Sequence, residues 1–257
     1  MSARADRGTR VLDRSLAMLF ELGDAAGPLP LAELARRADL PPSTAYRLVD
    51  GLEGHGLIER DDGGLALGLR ILELARRIED RLALSLLEPA RGIMRELAHE
   101  HDETVLLTAP AGPYAIGIDS VEPPRTVRLS LGRWRVAPMY LGASGKVLLA
   151  FLAPRSAERV LAGLDHPVTA AGQTIELGGL RRDLAEVRRC GVAVTHGELD
   201  RGMSGVAAPV RATGGRPIAG LTLAGPTDRL GPETDRLSQA VREAAGAIER
   251  ALERPRD

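Results

Sequence analysis

The order of patterns in the first seventy residues constrains the fold more than any other feature of this sequence. Leu12, Leu16 and Leu19 follow the 3.6-residue helical period, and the Gly- and Pro-rich segment at residues 23–30 ends this first helix. Apolar residues at positions i, i+3, i+4 and i+7 then predict a short second helix over residues 31–38. We therefore expect two short helices, each with one apolar face toward a common core.

A third helix follows after a tight connection at Asp39 and Leu40. It begins at Pro41 and Pro42, because the fixed φ of proline suits a first helical turn. The apolar positions of this helix are Ala45, Leu48, Val49 and Leu52. Its outer face therefore carries Ser43, Thr44, Tyr46, Arg47 and Asp50.

A β-hairpin completes the unit. Residues 57–68, LIERDDGGLALG, contain two short strands joined by a turn at residues 61–64. Three helices followed by a hairpin predict a winged helix-turn-helix over residues 9–68, whose third helix enters the DNA major groove. Ser43, Thr44, Tyr46 and Arg47 supply hydroxyl and guanidinium groups for phosphates and base edges. A helical protein-interaction module is the alternative, since such units also occur without DNA.

The overall charge does not by itself indicate a nucleic-acid partner. The formal net charge is −1, and residues 1–70 contain nine arginines against eleven aspartates and glutamates. If DNA is bound, the arginines must cluster on one face while the acidic residues lie elsewhere. The prediction of DNA binding therefore depends on a local arrangement of side chains.

The segment LAELARRADLPPSTAYRLVDGLEGHGLIER, residues 31–60, resembles the DNA-binding module of the IclR family of bacterial regulators. This resemblance implies a ligand-responsive transcription regulator, usually a repressor, that binds double-stranded DNA. It also implies a homodimer or a dimer of dimers. Two-fold symmetry of the protein then predicts a pseudo-palindromic operator, because each half of a dimer addresses one half-site.

The remainder of the chain predicts a linker and a second, α+β domain. Residues 69–83 form one amphipathic helix with several arginines on its polar face, which we interpret as the linker helix. From residue 84 to 254, β-rich segments alternate with helices: TVLLTA, YAIGIDSV, TVRLSL, VAVTH, GVAAPV and PIAGLTLAG, before a long helix from about residue 232 to 252. This order predicts an antiparallel sheet with flanking helices.

Three segments of this domain resemble IclR-type effector domains, which have a GAF-like fold: PMYLGASGKVLLAFL, GVAVTHGELDRGMSGVAAPV and PIAGLTLAGPTDRL. The resemblance implies that an effector cavity is lined by Ala143, Ser144, Thr195, Met203, Gly205, Thr222 and Ala224. Gly205 and Ala224 stand where some relatives have a polar or larger side chain, which predicts a cavity that is roomier and less polar than theirs. The two resemblances together cover nearly the whole chain.

The segment Gly142–Lys146, GASGK, invites two enzymatic interpretations, and both fail. A P-loop requires glycine at position 140 and Ser or Thr after the lysine, but the chain has Tyr140 and Val147. A nucleophile elbow requires glycine two positions after the serine, where Lys146 stands. A glycine-rich helix start presents backbone N–H groups to an anion, so Ala143, Ser144 and Gly145 are predicted to bind an organic acid. The alternative is that this turn merely starts a helix.

Other functions are less well supported by the sequence. An enzyme acting on a small acid would need a complete nucleophile or general-base motif, and none is found. A C-terminal domain that only oligomerises is the third possibility. His196, Glu198 and Asp200 are interpreted as a charged turn at the rim of the domain, and no metal site or cofactor is expected. Cys190 is expected to be buried. No apolar run approaches the roughly 18 residues that span a bilayer, so a cytoplasmic protein without membrane contact is expected.

Overall fold

The computed structural model describes residues 3–61, 63–125 and 134–253. The chain divides into two compact units, with the division between Leu82 and Ala83. Each unit has its own hydrophobic core.

The first unit contains four helices and a two-stranded sheet: α1 (Ala3–Asp24), α2 (Leu31–Arg37), α3 (Pro42–Gly54), β1 (Ile58–Asp61), β2 (Gly64–Leu67) and α4 (Arg70–Leu82). The strands are antiparallel, with Ile58 opposite Leu67. Leu29 exchanges two backbone hydrogen bonds with Leu65, at 2.9 and 2.8 Å, so the segment before α2 extends the wing. The predicted three helices and hairpin are confirmed.

The predicted apolar face of α1 is partly wrong. Leu12 and Leu16 are 57% and 40% exposed, whereas Met18 and Leu22 are buried in the core. The helical period was identified correctly, but two apolar stripes of similar strength lie on this helix, and packing against α2 and α3 selects the one that contains Met18. Leu12, Leu16 and Phe20, spaced four residues apart, are left on the surface.

The described residues of the second unit form one six-stranded sheet and six helices, preceded by a π-helical turn (Ala83–Leu87). In chain order its elements are α5 (Glu88–His101), β3 (Thr104–Ala111), β4 (Tyr114–Val121), β5 (Val136–Pro138), α6 (Gly142–Phe151), α7 (Pro154–Ala162), α8 (Leu177–Cys190), β6 (Ala193–His196), β7 (Met203–Arg211), β8 (Pro217–Pro226), α9 (Thr227–Leu230) and α10 (Thr234–Glu253). A 3₁₀ turn (Gly231–Glu233) joins α9 to α10.

The sheet has the strand order β5-β4-β3-β8-β7-β6, and every neighbouring pair is antiparallel. The predicted α+β fold with an antiparallel sheet and flanking helices is confirmed. The strand predicted for TVRLSL, residues 126–131, lies outside the described residues. The short strand β5 was missed, because three residues provide too little alternation for a sequence pattern.

The core of this unit positions α6. Its residues Val147, Leu148, Leu149 and Ala150 are fully buried, and the helix packs against β6, β7, β8 and α8. A helix that is apolar on all sides is expected to lie inside a domain rather than on its surface. The packing therefore brings the first turn of α6 against the strands of the sheet.

Cys190 is partly exposed at the C-terminal end of α8, so the prediction of a buried cysteine is wrong. Its thiol donates a hydrogen bond to Oε1 of Glu186 at 3.0 Å, one helical turn earlier. This hydrogen bond to a carboxylate raises the pKa of the Cys190 thiol.

Among the described residues, no helix combines the length and the apolar character needed to cross a bilayer.

Candidate functional site

The predicted DNA-contacting residues lie on the outer face of α3. Ser43, Tyr46 and Arg47 are exposed and Thr44 is half-buried, whereas Ala45 on the opposite face is fully buried. The helix starts without a side-chain cap, and the backbone N–H of Thr44 donates to the carbonyl of Pro41 at 2.9 Å. Hydroxyl, phenol and guanidinium groups are thus presented together on the first two turns of one helix.

Several glutamates of the first unit pair with arginines other than Arg47. Glu33 accepts hydrogen bonds from Arg36 and Arg37, which hold the pKa of its carboxyl at about 2. Glu53 pairs with Arg60 at 2.8 Å. Within the described part of the chain, no ion pair involves Arg47. Although acidic residues outnumber arginines in residues 1–70, Arg47 is therefore an exposed cation without a described ion-pair partner on the outer face of α3.

A cavity of about 80 Å³ lies in the second unit, between the start of α6 and the sheet. The eight residues predicted for the effector site all line it: Ala143, Ser144, Gly145, Thr195, Met203, Gly205, Thr222 and Ala224. They come from α6, β6, β7 and β8, so the antiparallel sheet brings together segments that lie up to 81 positions apart in the sequence. Most of the wall is formed by aliphatic side chains and glycines.

At the start of α6, the backbone at Gly145 packs closely against the backbone at Met139. A Cβ atom at Gly145 would lie 2.7 Å from the carbonyl oxygen of Met139, so only glycine fits there. The N–H of Gly142 donates to Oε2 of Glu198 at 3.2 Å. The first N–H group of the helix, next to the predicted anion site at Ala143, Ser144 and Gly145, therefore already binds a carboxylate of the protein itself.

Neighbouring side chains take up the space left by the missing side chain of Gly205. A Cβ atom at Gly205 would lie 3.3 Å from Cβ of Ala143 and 3.5 Å from Cγ2 of Thr222. The absent side chain therefore allows α6 to approach the sheet instead of adding volume. About 80 Å³ is below the roughly 300–1,000 Å³ typical for drug-sized ligands, so the cavity suits a small molecule.

The hydroxyl groups of the cavity are partly engaged with each other. Oγ of Ser144 and Oγ1 of Thr222 are 2.7 Å apart, which joins α6 to β8. Oγ1 of Thr108 donates to the carbonyl of Gly220 at 3.2 Å. A ligand that contacts Thr222 therefore shares this hydroxyl with Ser144.

Sequence reasoning missed the charged lining of the cavity. Arg135, which precedes β5, makes a two-fold contact with the carboxylate of Asp200, and both N–O distances are 2.8 Å. Glu198 accepts a hydrogen bond from Nζ of the buried Lys146 at 2.6 Å. Asp119 on β4 also lines the cavity. The spacing of Glu198 and Asp200 was noted as a rim turn, but no sequence signal connected this turn to Arg135, 65 positions away.

A short chain of hydrogen bonds joins three polar side chains beside the cavity. Nδ1 of His196 lies 2.8 Å from Oγ of Ser204, which in turn donates to Thr227 at 2.9 Å. Within residues 3–61, 63–125 and 134–253, no group of three or more His, Cys, Asp and Glu side chains is placed to hold a metal ion.

Comparisons with known proteins match both units. The family described as bacterial transcriptional regulator IclR C-terminal matches residues 82–250, and the IclR helix-turn-helix domain matches residues 11–62. The chain is 30% identical to the HTH-type transcriptional regulator KipR of Bacillus subtilis, over 87% of this chain and 90% of KipR. It is 29% identical to the HTH-type transcriptional repressor AllR of Klebsiella pneumoniae, over 96% of this chain and 92% of AllR.

A solved structure shares the same architecture. The chain is similar to an IclR homologue from Microbacterium hydrocarbonoxydans that was crystallised with 4-hydroxybenzoate, with a TM-score of 0.71 and 29% identity. The match covers 94% of this chain and 98% of that one. The curated relatives KipR and AllR are named as transcription regulators and not as enzymes. The chain therefore belongs to the IclR family of bacterial transcription regulators, with an N-terminal helix-turn-helix domain that binds DNA and a C-terminal effector domain.

Proposed function

We propose that this regulator is a cytoplasmic repressor whose operator affinity is changed by a small organic acid. DNA binding is assigned to residues 9–68, the linker to residues 69–83 and effector binding to residues 84–254. The observation that carries the proposal is the preformed, largely apolar cavity at the start of α6. The relative AllR is named a repressor, which supports the direction of regulation.

The operator contacts are assigned to Ser43, Thr44, Tyr46 and Arg47. The N-terminal part of a reading helix contacts base edges, and the guanidinium of arginine pairs with guanine in a bidentate fashion. Arg47 is exposed and none of the described acidic residues neutralises it, so it is available for this contact. The hydroxyl of Ser43 is assigned to phosphate or base-edge contacts, and Tyr46 to contacts with the DNA backbone.

The effector is assigned to the cavity with its carboxylate toward the backbone at Ala143, Ser144 and Gly145. The first N–H groups of a helix lack intrahelical acceptors and carry partial positive charge. Met203 and the small residues of the sheet accept the apolar part of the molecule, and Thr222 provides a polar contact. The Microbacterium relative was crystallised with 4-hydroxybenzoate, which combines one carboxylate with a flat apolar ring.

A symmetric dimer, or a pair of dimers, is proposed as the binding species. Leu12, Leu16 and Phe20 form an exposed apolar stripe on α1. On α4, Leu72, Leu74 and Ile78 are also exposed, and this helix has no fully buried residue. Exposed apolar residues that recur along a helix mark interaction sites, and a second copy of the chain would cover them. The operator is then a pseudo-palindrome with one half-site for each reading helix.

A thermal-shift screen with small organic acids tests the effector proposal. A ligand that binds only the folded state raises stability by RT ln(1 + [L]/Kd), which is about 2.7 kcal/mol at 100 times Kd. Propionate, benzoate and 4-hydroxybenzoate cover a range of sizes. Hits are then titrated against the protein bound to DNA from its own promoter region. A domain that only oligomerises would give no shift with any acid.

A further inference from the structure

We infer that Arg135 is the residue that recognises the carboxylate of the effector, and that Asp200 is an internal carboxylate that competes for it. This inference rests on the proposed acid effector. It adds a specificity-determining residue outside the segments that carried the family resemblance.

The contact between Arg135 and Asp200 shows how a carboxylate binds at this place. Nη1 and Nη2 of the arginine each lie 2.8 Å from one carboxylate oxygen, in the parallel arrangement that suits a guanidinium and a carboxylate. Both residues line the cavity, and their side chains are 35% and 33% exposed. The aspartate therefore stands in for an acid ligand at a position that solvent and small molecules can reach.

The charges around the cavity make this arginine necessary for an anion. Among the described lining residues, Arg135 is the one cation, and each of the three lining carboxylates has a cationic partner: Asp119 pairs with Arg91, Glu198 with Lys146 and Asp200 with Arg135. Lys146 is buried and does not line the cavity, because Glu198 and Asp183 hold its Nζ at 2.6 and 3.3 Å. An acid that enters this balanced arrangement adds one negative charge, and Arg135 is the described lining residue whose positive charge can meet it.

The helix start alone does not supply that charge. A helix N-terminus is equivalent to about half an elementary charge, and Glu198 already lies 3.2 Å from the N–H of Gly142. The remaining N–H groups can orient a carboxylate, but the neutralising charge comes from Arg135. The acid and Asp200 therefore exclude each other at the guanidinium.

This exclusion links effector binding to one segment of the domain. Asp200 belongs to the connection between β6 and β7, and Glu198 in the same connection stays attached to Lys146. A bound acid breaks the contact between Asp200 and Arg135 and leaves the contact between Glu198 and Lys146. The segment thus makes different contacts in the free and bound states, which is the condition for a ligand to shift a conformational equilibrium.

The test compares acids with their amides, which have nearly the same shape without the charge. Binding of benzoate and benzamide, and of 4-hydroxybenzoate and its amide, is measured by calorimetry on the full chain and on Arg135→Gln, Arg135→Lys and Asp200→Asn. Loss of a charged hydrogen-bonding partner should weaken acid binding by roughly tenfold or more in Arg135→Gln, while amide binding stays unchanged. Arg135→Lys keeps the charge and should retain part of the acid preference.

Asp200→Asn removes the competitor and should tighten acid binding by roughly two- to fivefold, the range expected for a partly exposed ion pair. Glu158→Gln is the matched control, because Glu158 makes a similar two-fold contact with Arg181 away from the cavity, at 2.8 and 3.1 Å. This control should change neither acid nor amide binding.

The outcomes separate the inference from the proposed function. If the native chain binds an acid and Arg135→Gln keeps the native ratio of acid to amide affinity, Arg135 is not the recognising residue and only this inference fails. If no acid binds the native chain or Asp200→Asn, both the inference and the acid effector are wrong. Melting curves without ligand identify a variant that fails to fold, and Asp200→Asn and Arg135→Lys then decide the question.

Discussion

The DNA-binding helix and the effector cavity use polar side chains in opposite ways. On α3, Arg47 is exposed and no described acid pairs with it, so its hydrogen-bonding capacity is directed outward. In the cavity, the polar groups already have internal partners, as Ser144 has Thr222 and Arg135 has Asp200. A surface that binds a long, charged polymer can leave its groups solvated, whereas polar groups that are largely buried in a cavity need partners before the ligand arrives. An effector therefore has to exchange existing contacts, and a DNA site does not.

The largest expected effect concerns the cavity. Gly205→Trp should abolish the effector response, because even a Cβ atom there meets Ala143 at 3.3 Å. Operator binding should persist, since the reading helix belongs to the other unit. Effector titration of the protein–operator complex measures both properties.

Gly92→Trp is the control for this change, because its Cβ would meet no atom within 4 Å outside its own helix. It should keep the native response. An unaltered response in Gly205→Trp would show that the effector binds elsewhere.

The next effect tests whether the exposed stripe on α1 joins two copies. Phe20→Glu places a charge on this apolar surface and should weaken operator binding by roughly 100-fold or more, because the two half-sites are no longer engaged together. Light scattering at micromolar concentration should show at least a dimer for the native chain. Val168→Glu, at an exposed apolar residue of the other unit, should leave both properties unchanged. A native chain that is only monomeric, with and without DNA, would refute the symmetric arrangement.

Arg47→Ala should weaken specific operator binding by roughly 1–3 kcal/mol and leave the melting temperature unchanged, because its exposed side chain has no internal role in the described structure. Thr44→Ala should act in the same direction. Fluorescence anisotropy at fixed salt provides the affinity, with Arg181→Ala in the other unit as the control. Native affinity in both α3 variants would mean that another surface reads the DNA.

The smallest expected effect concerns the hydrogen bond between Ser144 and Thr222 in the cavity. Thr222→Val removes the partner of Ser144 while keeping the shape of the side chain, and should lower the free energy of unfolding by about 0.5–1.5 kcal/mol. The double variant Ser144→Ala with Thr222→Val should recover part of this loss, because no hydroxyl then lacks its partner. Denaturant unfolding of both variants measures the difference. Equal stabilities of all three chains would show that this hydrogen bond contributes nothing.

Much of the first unit could be predicted from the sequence because its features are local. The helical period, the prolines at residues 41 and 42 and the hairpin turn each act over a few residues, and the structure confirms the elements that they predict. The face of α1 was the exception. Its two apolar stripes are equivalent to a local pattern, and only contact with the rest of the core distinguishes Met18 from Leu16.

In the second unit, the order of strands and helices was predictable, and eight predicted residues line the cavity. Two features of the cavity could not be predicted: which side chains take up its space, and which charged residues pair at its wall. Nothing near Gly205 in the sequence indicates that Ala143 occupies the space of its missing side chain. Nothing near Asp200 indicates an arginine 65 positions earlier.

The sequence by itself determined the element types, the exposed face of α3 and the segments that form the cavity, because these follow from short-range periodicity, turn chemistry and family-specific motifs. The tertiary structure alone decided which charges meet: Arg135 with Asp200, Lys146 with Glu198, and Arg47 with no described partner. Ion pairs depend on distances of a few ångströms between residues that the fold brings together. The order of residues along the chain does not indicate those distances.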